Sequence, residues 1–141
     1  MRVSNRADYG VRALFELAGR YGQGLVQSRD IAARQAIPEA YLHQVLGALG
    51  RAGMIRSTRG PQGGHELIRP PSQITVWDIL QVLDGADRRS HPHPNGIGQH
   101  DVVHAVWHEL QIRQEAYLQS ITLETLLERA RSHNPGGVYT I

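Results

Sequence analysis

The sequence of 141 residues contains no cysteine. Without a thiol, the chain cannot form a disulfide, use a thiolate nucleophile, or hold a metal ion or an iron–sulfur cluster through sulfur. It also lacks a run of about 18 apolar residues, which a membrane-spanning helix needs, and its first residues lack the apolar stretch of a secretory signal. We therefore expect a cytoplasmic protein with no membrane partner, in which any bound metal is held by histidine or carboxylate.

Lysine is absent as well, so all 15 basic residues are arginine. The guanidinium group is planar and suits bidentate contacts with phosphate or guanine. Residues 1–70 carry ten arginines and five acidic residues, a net charge of +5, whereas residues 71–141 carry five arginines and eight acidic residues, a net charge of −3. This asymmetry predicts a polyanion-binding head followed by a part with another role, such as oligomerisation.

The first half shows the pattern of a winged helix-turn-helix. Residues 6–21 have helical periodicity, Ser28 is a candidate N-cap for a second helix, and Pro38 suits the first turn of a third helix. In the third helix, Leu42, Val45, Leu46 and Leu49 form one apolar stripe. Two strand-like runs then flank the glycine-rich residues 59–64, which predicts a β-hairpin, the wing. We expect a mainly helical fold with a small β-hairpin.

The second half predicts a dimerisation helix. After a short helix capped by Thr75, residues 84–99 resemble a loop, and a long helix is expected over residues 101–120. An apolar seam with heptad spacing predicts a partner helix in a homodimer; it consists of Val103, Trp107, Leu110, Gln114, Tyr117 and Ile121. Thr122 is expected to cap a last helix. The predicted divisions are a DNA-binding domain (1–83), a sensor-type loop (84–100), dimerisation helices (101–131) and a flexible tail (132–141).

Candidate DNA contacts follow from the same pattern. If the leucine stripe faces the core, the opposite face of the third helix is left for the major groove of double-stranded DNA. That face carries Glu39, Ala40, His43 and Gln44, of which Gln44 can read adenine. At the wing tip, Arg59 suits a narrow minor groove, and Gly60 permits close approach of the backbone to phosphate. Further predicted contacts are Arg2, Ser28 and Arg56.

The order and content of these blocks resemble the Rrf2 family of bacterial transcription regulators over residues 1 to about 130. The resemblance rests on the opening residues 1–4 and 8–14, on residues 30–32 and 37–46, on the wing residues 57–64, and on residues 104–107 and 121–123. It implies a homodimer with crossed long helices that binds a palindromic operator, with Tyr41, His43 and Gln44 in the major groove and Arg59 near the minor groove. His43 and His65 depart from the residue types usual at their positions in the family.

The sensor region departs further from the family. Cluster-binding relatives place three cysteines in the loop and at the start of the long helix, whereas this chain has none. By the same resemblance, Asp8 and His104 match metal-ligand positions of some relatives. His100, His104 and His108 lie along one helix face, and His91 or His93 could add a ligand to a mononuclear metal site. A solvated histidine face and a pH- or small-molecule-responsive role are the alternatives.

Three functions remain open at this point. A dimeric DNA-binding regulator, expected to be a repressor, explains the charge asymmetry and the wing. A winged-helix module that binds protein would show little affinity for duplex DNA. A small metal-dependent enzyme has little support, because no nucleophile–base pair is evident. We therefore expect no enzymatic activity and no thiolate-held cofactor. A histidine-bound metal ion and a small molecule stay open as effectors.

Overall fold

The computed structural model describes residues 2–88 and 101–133. Within these ranges it is mainly helical with one antiparallel hairpin, as the sequence predicts. A 3-10 turn at Pro71–Gln73 precedes α4. The elements are α1 (Asn5–Ala18), α2 (Ser28–Gln35), α3 (Glu39–Arg51), β1 (Ile55–Thr58), β2 (Gly64–Leu67), α4 (Val76–Arg88), α5 (Val102–Ser120) and α6 (Leu123–His133).

One hydrophobic core joins α1, α3, α4, the hairpin and the start of α6. The leucine stripe of α3 points into this core, because its apolar residues recur every three or four positions. Helix α1 supplies the facing layer, and Leu123 brings α6 into the same cluster. Among the largest fully buried side chains are Leu14, Leu17, Ile31, Leu42, Val45, Leu49, Ile74, Ile79, Leu80 and Leu123.

The wing contains a pairing that the sequence does not predict. Val26, in the segment between α1 and α2, exchanges two backbone hydrogen bonds with His65 of β2, at 2.9 and 2.8 Å. Gly64 allows this approach, because a Cβ at this position would lie 2.7 Å from the Val26 carbonyl oxygen. Strand β2 is therefore paired on both sides, which ties the wing to the helix-turn-helix.

Two predicted helix boundaries were wrong. Helix α1 ends at Ala18 rather than at residue 21, and Tyr21 is exposed in the turn that carries the chain to Val26. Ser28 is the first residue of α2 and not its N-cap. Gln27 occupies the N-cap position in extended conformation, because it directly follows the Val26–His65 pairing. The tight turn before α3 is present, with Ala36 in the left-handed conformation at φ 52°.

Reciprocal caps begin both α4 and α6. The backbone N–H of Asp78 donates to the Thr75 hydroxyl, and the N–H of Thr125 donates to the Thr122 hydroxyl, both at 3.0 Å. The two caps lie side by side, because Thr75 and Thr122 form an antiparallel bridge. The predicted caps are confirmed, and helix α6 packs on α1 and joins the core of the head, although the predicted division grouped it with the dimerisation segment.

Helix α4 runs further than predicted. Residues 84–88, expected to be loop, continue the helix to Arg88. Asp84 is buried, and the Ser4 hydroxyl donates to its carboxylate at 2.8 Å, which anchors the start of α1 to α4. This contact spans 80 residues of sequence and therefore leaves no local signal. Residues 132–133, expected in the flexible tail, form the end of α6. The rest of the predicted loop and of the predicted tail lies outside the described residues.

Helix α5 is 19 residues long, and none of its residues is buried. Its N-cap is Asp101, whose side chain accepts from the His104 backbone N–H at 2.6 Å. Ile121, expected to end the dimerisation seam, lies beyond the helix as its C-cap and is only 7% exposed. Its carbonyl accepts from the Val76 N–H at 2.8 Å, so the Thr75–Thr122 bridge turns Ile121 into the core of its own chain. No described helix is long and apolar enough to cross a membrane.

Candidate nucleic-acid interface

Helix α3 presents a polar face opposite its leucine stripe. Leu42, Val45 and Leu49 are fully buried. The residues predicted to face DNA, namely Glu39, Ala40, Tyr41, His43 and Gln44, are all exposed. The α3 surface is therefore accessible and carries both hydrogen-bond donors and acceptors, as recognition of base edges requires. Contact of each side chain with DNA stays a prediction.

Two side chains on this surface have a close neighbour within the chain. The Tyr41 ring packs edge-on against Tyr9 of α1, with ring centroids 5.3 Å apart and an interplanar angle of 79°. His43 Nε2 lies 3.9 Å from Glu39 Oε1, one helical turn earlier. Tyr9 was not among the predicted site residues, although the aromatic pair orients Tyr41, since edge-to-face packing favours one ring orientation.

The wing places Arg59 and Gly60 together at an exposed turn. Gly60 has a φ of 113°, which a residue with a side chain rarely adopts. Within the described residues, no carboxylate lies within ion-pair distance of Arg59. Arg56 differs, because it faces Glu66 across the strand pair, with Nε 3.6 Å from Oε1. Arg59 is therefore the stronger phosphate or minor-groove candidate of the two.

A groove of about 490 Å³ separates the wing from the start of α2 and α3. Ser28 and Glu39 both line it, so the structure brings these two predicted residues together with the wing turn. Gln27, the residue before α2, is connected to the wing turn, since its Nε2 donates to the Pro61 carbonyl at 3.3 Å. Arg29 lines the same groove and is exposed. Neither Gln27 nor Arg29 was predicted, because only the wing geometry makes them neighbours of the site.

His65 lies at the base of the wing, on strand β2. Its Nδ1 is 2.7 Å from the Ser57 hydroxyl on the neighbouring strand. Burial lowers the pKa of His65 below its usual 6.5, and the nearby His43 lowers it further. His65 is therefore neutral at pH 7. Depending on the tautomer, its Nδ1 either accepts a hydrogen bond from the Ser57 hydroxyl or donates one to it.

The remaining predicted residues lie elsewhere. Arg2 is exposed in the segment before α1. Asp8 is engaged by Arg12, whose Nε lies 3.0 Å from both carboxylate oxygens. His104 and His108 lie on α5, and His91, His93 and His100 lie outside the described residues. Across residues 2–88 and 101–133, no three histidine or acidic side chains converge as metal ligands would. A histidine-held metal ion stays one of the alternatives that the sequence leaves open.

Comparison with known proteins identifies this arrangement. The family model described as Rrf2, iron-dependent transcriptional regulator, matches residues 3–129. The chain belongs to the Rrf2 family. The family consists of transcriptional regulators of the helix-turn-helix type rather than enzymes, as the sequence predicts. The iron–sulfur chemistry that thiolate ligands provide does not fit this chain, since its donor set contains no cysteine.

Individual relatives agree with this assignment. The transcriptional regulator IscR of Photobacterium profundum is 32% identical over 130 residues, which cover 90% of this chain and 76% of IscR. The solved structure of T. potens IscR has a TM-score of 0.79 and 37% identity, covering 95% of this chain and 91% of that one. The Mycobacterium tuberculosis protein Rv1287 is 41% identical over 85 residues, 60% of this chain. That match spans about half of Rv1287, at 53% of its length.

Proposed function

We propose that the chain acts as a homodimer, paired through α5, that binds a palindromic operator and represses transcription in the cytoplasm. The observation that carries the proposal is the exposed apolar face of α5. A helix whose apolar side chains are exposed in one copy of a chain marks a surface that another molecule covers.

The α5 face follows the predicted seam. Val103, Trp107 and Tyr117 are 56%, 58% and 57% exposed, and Leu110 is 46% exposed. These residues lie within about 80° of one another around the helix, given about 100° per residue. Crossing of two such helices would bury four large apolar side chains per chain, at roughly 1.5–3 kcal/mol for each one that becomes fully buried.

A two-fold axis through this pair would present two copies of α3 and two wings to one duplex. Dimeric regulators of this architecture read half-sites about one helical turn apart, so the operator mirrors the symmetry of the protein. The basic charge of residues 1–70 supports binding of the head to phosphate. We propose repression because a dimer bound across a promoter competes with the polymerase for the same DNA.

The test is selection of duplexes from a random library by the purified full-length chain, followed by fluorescence anisotropy on the selected sequence. We expect an inverted repeat with half-site centres about 10–11 base pairs apart. Enrichment of a single unrepeated site would contradict the dimer. Failure to enrich any sequence, with no duplex binding near physiological salt, would favour the protein-binding module instead. A promoter–reporter fusion carrying the selected site tests repression, which predicts higher expression when the regulator is deleted.

A further inference from the structure

A second groove lies between α1 and α6, away from the wing. Its volume is about 390 Å³, which falls within the range of small-ligand sites. Val11, Phe15, Leu126 and Ala130 give it an apolar surface, and each of these side chains is only partly buried. The remaining lining residues are polar or charged: Asp8, Arg12, Gln35, Arg129 and His133.

The charges around this groove favour an anion. Arg12 is held in place by two neighbours, because its Nε lies 3.0 Å from both Asp8 oxygens and its Nη1 donates to Gln35 Oε1 at 3.4 Å. The Asp8 charge is therefore balanced within the site. Arg129 is exposed, and no carboxylate in the described part of the chain pairs with it. The groove thus offers one uncompensated guanidinium beside an apolar surface.

We propose that this groove binds a small organic monocarboxylate with an apolar body. Guanidinium groups bind carboxylates through paired, charge-assisted hydrogen bonds. The apolar side chains favour a hydrocarbon body over a sugar or an inorganic ion, since burying hydroxyl groups without partners is costly. The single excess positive charge suits one carboxylate better than a polyphosphate.

The position of the groove gives this ligand a route to the DNA-binding face. Gln35 is the last residue of α2, and it directly precedes Ala36, whose left-handed turn leads into α3. Gln35 Nε2 also donates to Glu16 Oε1 on α1 at 2.6 Å. An occupant that contacts Gln35 and Arg12 would therefore bias the packing of α2 on α1, and with it the angle of α3. This regulatory part rests on the proposed function, whereas binding of the ligand does not.

Isothermal titration of the full-length chain with n-alkanoates from acetate to decanoate tests the site, with the corresponding uncharged n-alkanamides as probes of charge. We expect saturable binding of the longer acids, one per chain, and binding at least about tenfold weaker for the amides, because a charge-assisted hydrogen bond is lost. Arg129→Gln should weaken acid binding by about tenfold and leave amide binding unchanged. Ala130→Phe should abolish both by filling the groove.

Arg131→Gln is the matched control, since Arg131 lies on the same helix, is exposed, and pairs with Glu124 rather than lining the groove. Absence of saturable binding, equal affinity for acid and amide, or an equal loss in Arg131→Gln would overturn the site. If acids bind but the affinity for the selected duplex does not change, the regulatory part is wrong and the site stands. If no duplex is bound with or without the acid, the proposed function fails and the site stands.

Discussion

Helices α3 and α5 use their apolar residues in opposite ways. In α3, five of 13 residues are buried inside the chain, and the polar remainder faces outward. In α5, none of 19 residues is buried, and Val103, Trp107, Leu110 and Tyr117 all face outward. The core of the head is therefore formed within one chain, whereas α5 presents an apolar surface that residues 2–88 and 101–133 of its own chain do not cover.

This difference separates the requirements for folding from those for function. The buried face of α3 stabilises the head, so substitutions there should lower the free energy of unfolding. The exposed face of α5 contributes little to the fold of one chain, so substitutions there should act on assembly. Substitutions at the wing should affect neither folding nor assembly, because the exposed Arg59 adds little to the core. They should act on DNA binding instead.

Loss of a buried side chain from α3 should have the largest effect on the free energy of unfolding. Leu49→Ala removes a fully buried side chain and should lower the free energy of unfolding by about 2–5 kcal/mol. Ile112→Ala on α5, where the side chain is 53% exposed, should change it by less than about 0.5 kcal/mol. Urea denaturation followed by circular dichroism measures both. Equal losses would contradict the distinction between the two helices.

The next prediction concerns the α5 face. The double substitution Trp107→Ser and Leu110→Ser should prevent pairing and weaken binding to the selected operator by roughly 100-fold, since one half-site contact is lost. Ile112→Ser is the control, because Ile112 is similarly exposed but lies about 200° around the helix from Leu110. Fluorescence anisotropy gives the affinities. An equal loss in the control would show that the seam has no special role.

A smaller effect is expected at the wing. Arg59→Ala should weaken operator binding by roughly tenfold and reduce the slope of log affinity against log salt by about one per chain, since one phosphate or minor-groove contact is lost. Arg56→Ala should have a smaller effect, because Arg56 already lies 3.6 Å from Glu66. Titrations at three or more salt concentrations measure both slopes. An unchanged slope in Arg59→Ala would remove the wing from the interface.

The smallest expected effect is the pH dependence of the wing base. Burial, and then His43, lowers the pKa of His65 below 6.5. The unfolded chain therefore binds the proton more readily, so this stabilising contribution is present above pH 6.5 and is lost as the pH falls below it. The loss should be small, because the His65 side chain is only partly buried. Between pH 7.5 and 5.5, the His65→Phe variant should lose less free energy of unfolding than the wild type. An equal loss in both proteins would show that His65 is not the source of the pH dependence.

Features set by local periodicity were predictable from the sequence. The leucine stripe of α3 determined which residues face outward, and Thr75 and Thr122 were recognisable as caps. Three features depend on contacts between distant residues and left no local signal. The Val26–His65 pairing involves too few residues to show alternation, and the burial of Asp84 depends on Ser4. Ile121 fits the heptad spacing, but α5 ends at Ser120 and the chain turns at Ile121. The spacing of apolar residues does not show where a helix ends.

The candidate site divides in the same way. Exposure of Glu39, His43 and Gln44 followed from the helical period, and the glycines of the wing indicated a tight turn. Gln27 and Arg29 escaped prediction, because the hydrogen bond of Gln27 to Pro61 spans 34 residues. The groove between α1 and α6 also depends on a distant contact, since the sequence alone does not indicate that α6 returns to pack on the first helix.

Two chains joined through α5 should place two α3 helices on one operator. Multi-angle light scattering of the complex with the selected duplex, resolved by size-exclusion chromatography, measures the protein mass bound per duplex. We expect two chains of 15.7 kDa per duplex for the wild type. We expect no stable two-chain complex for the Trp107→Ser and Leu110→Ser double variant. One wild-type chain per duplex, or an unchanged two-chain complex in the double variant, would contradict it.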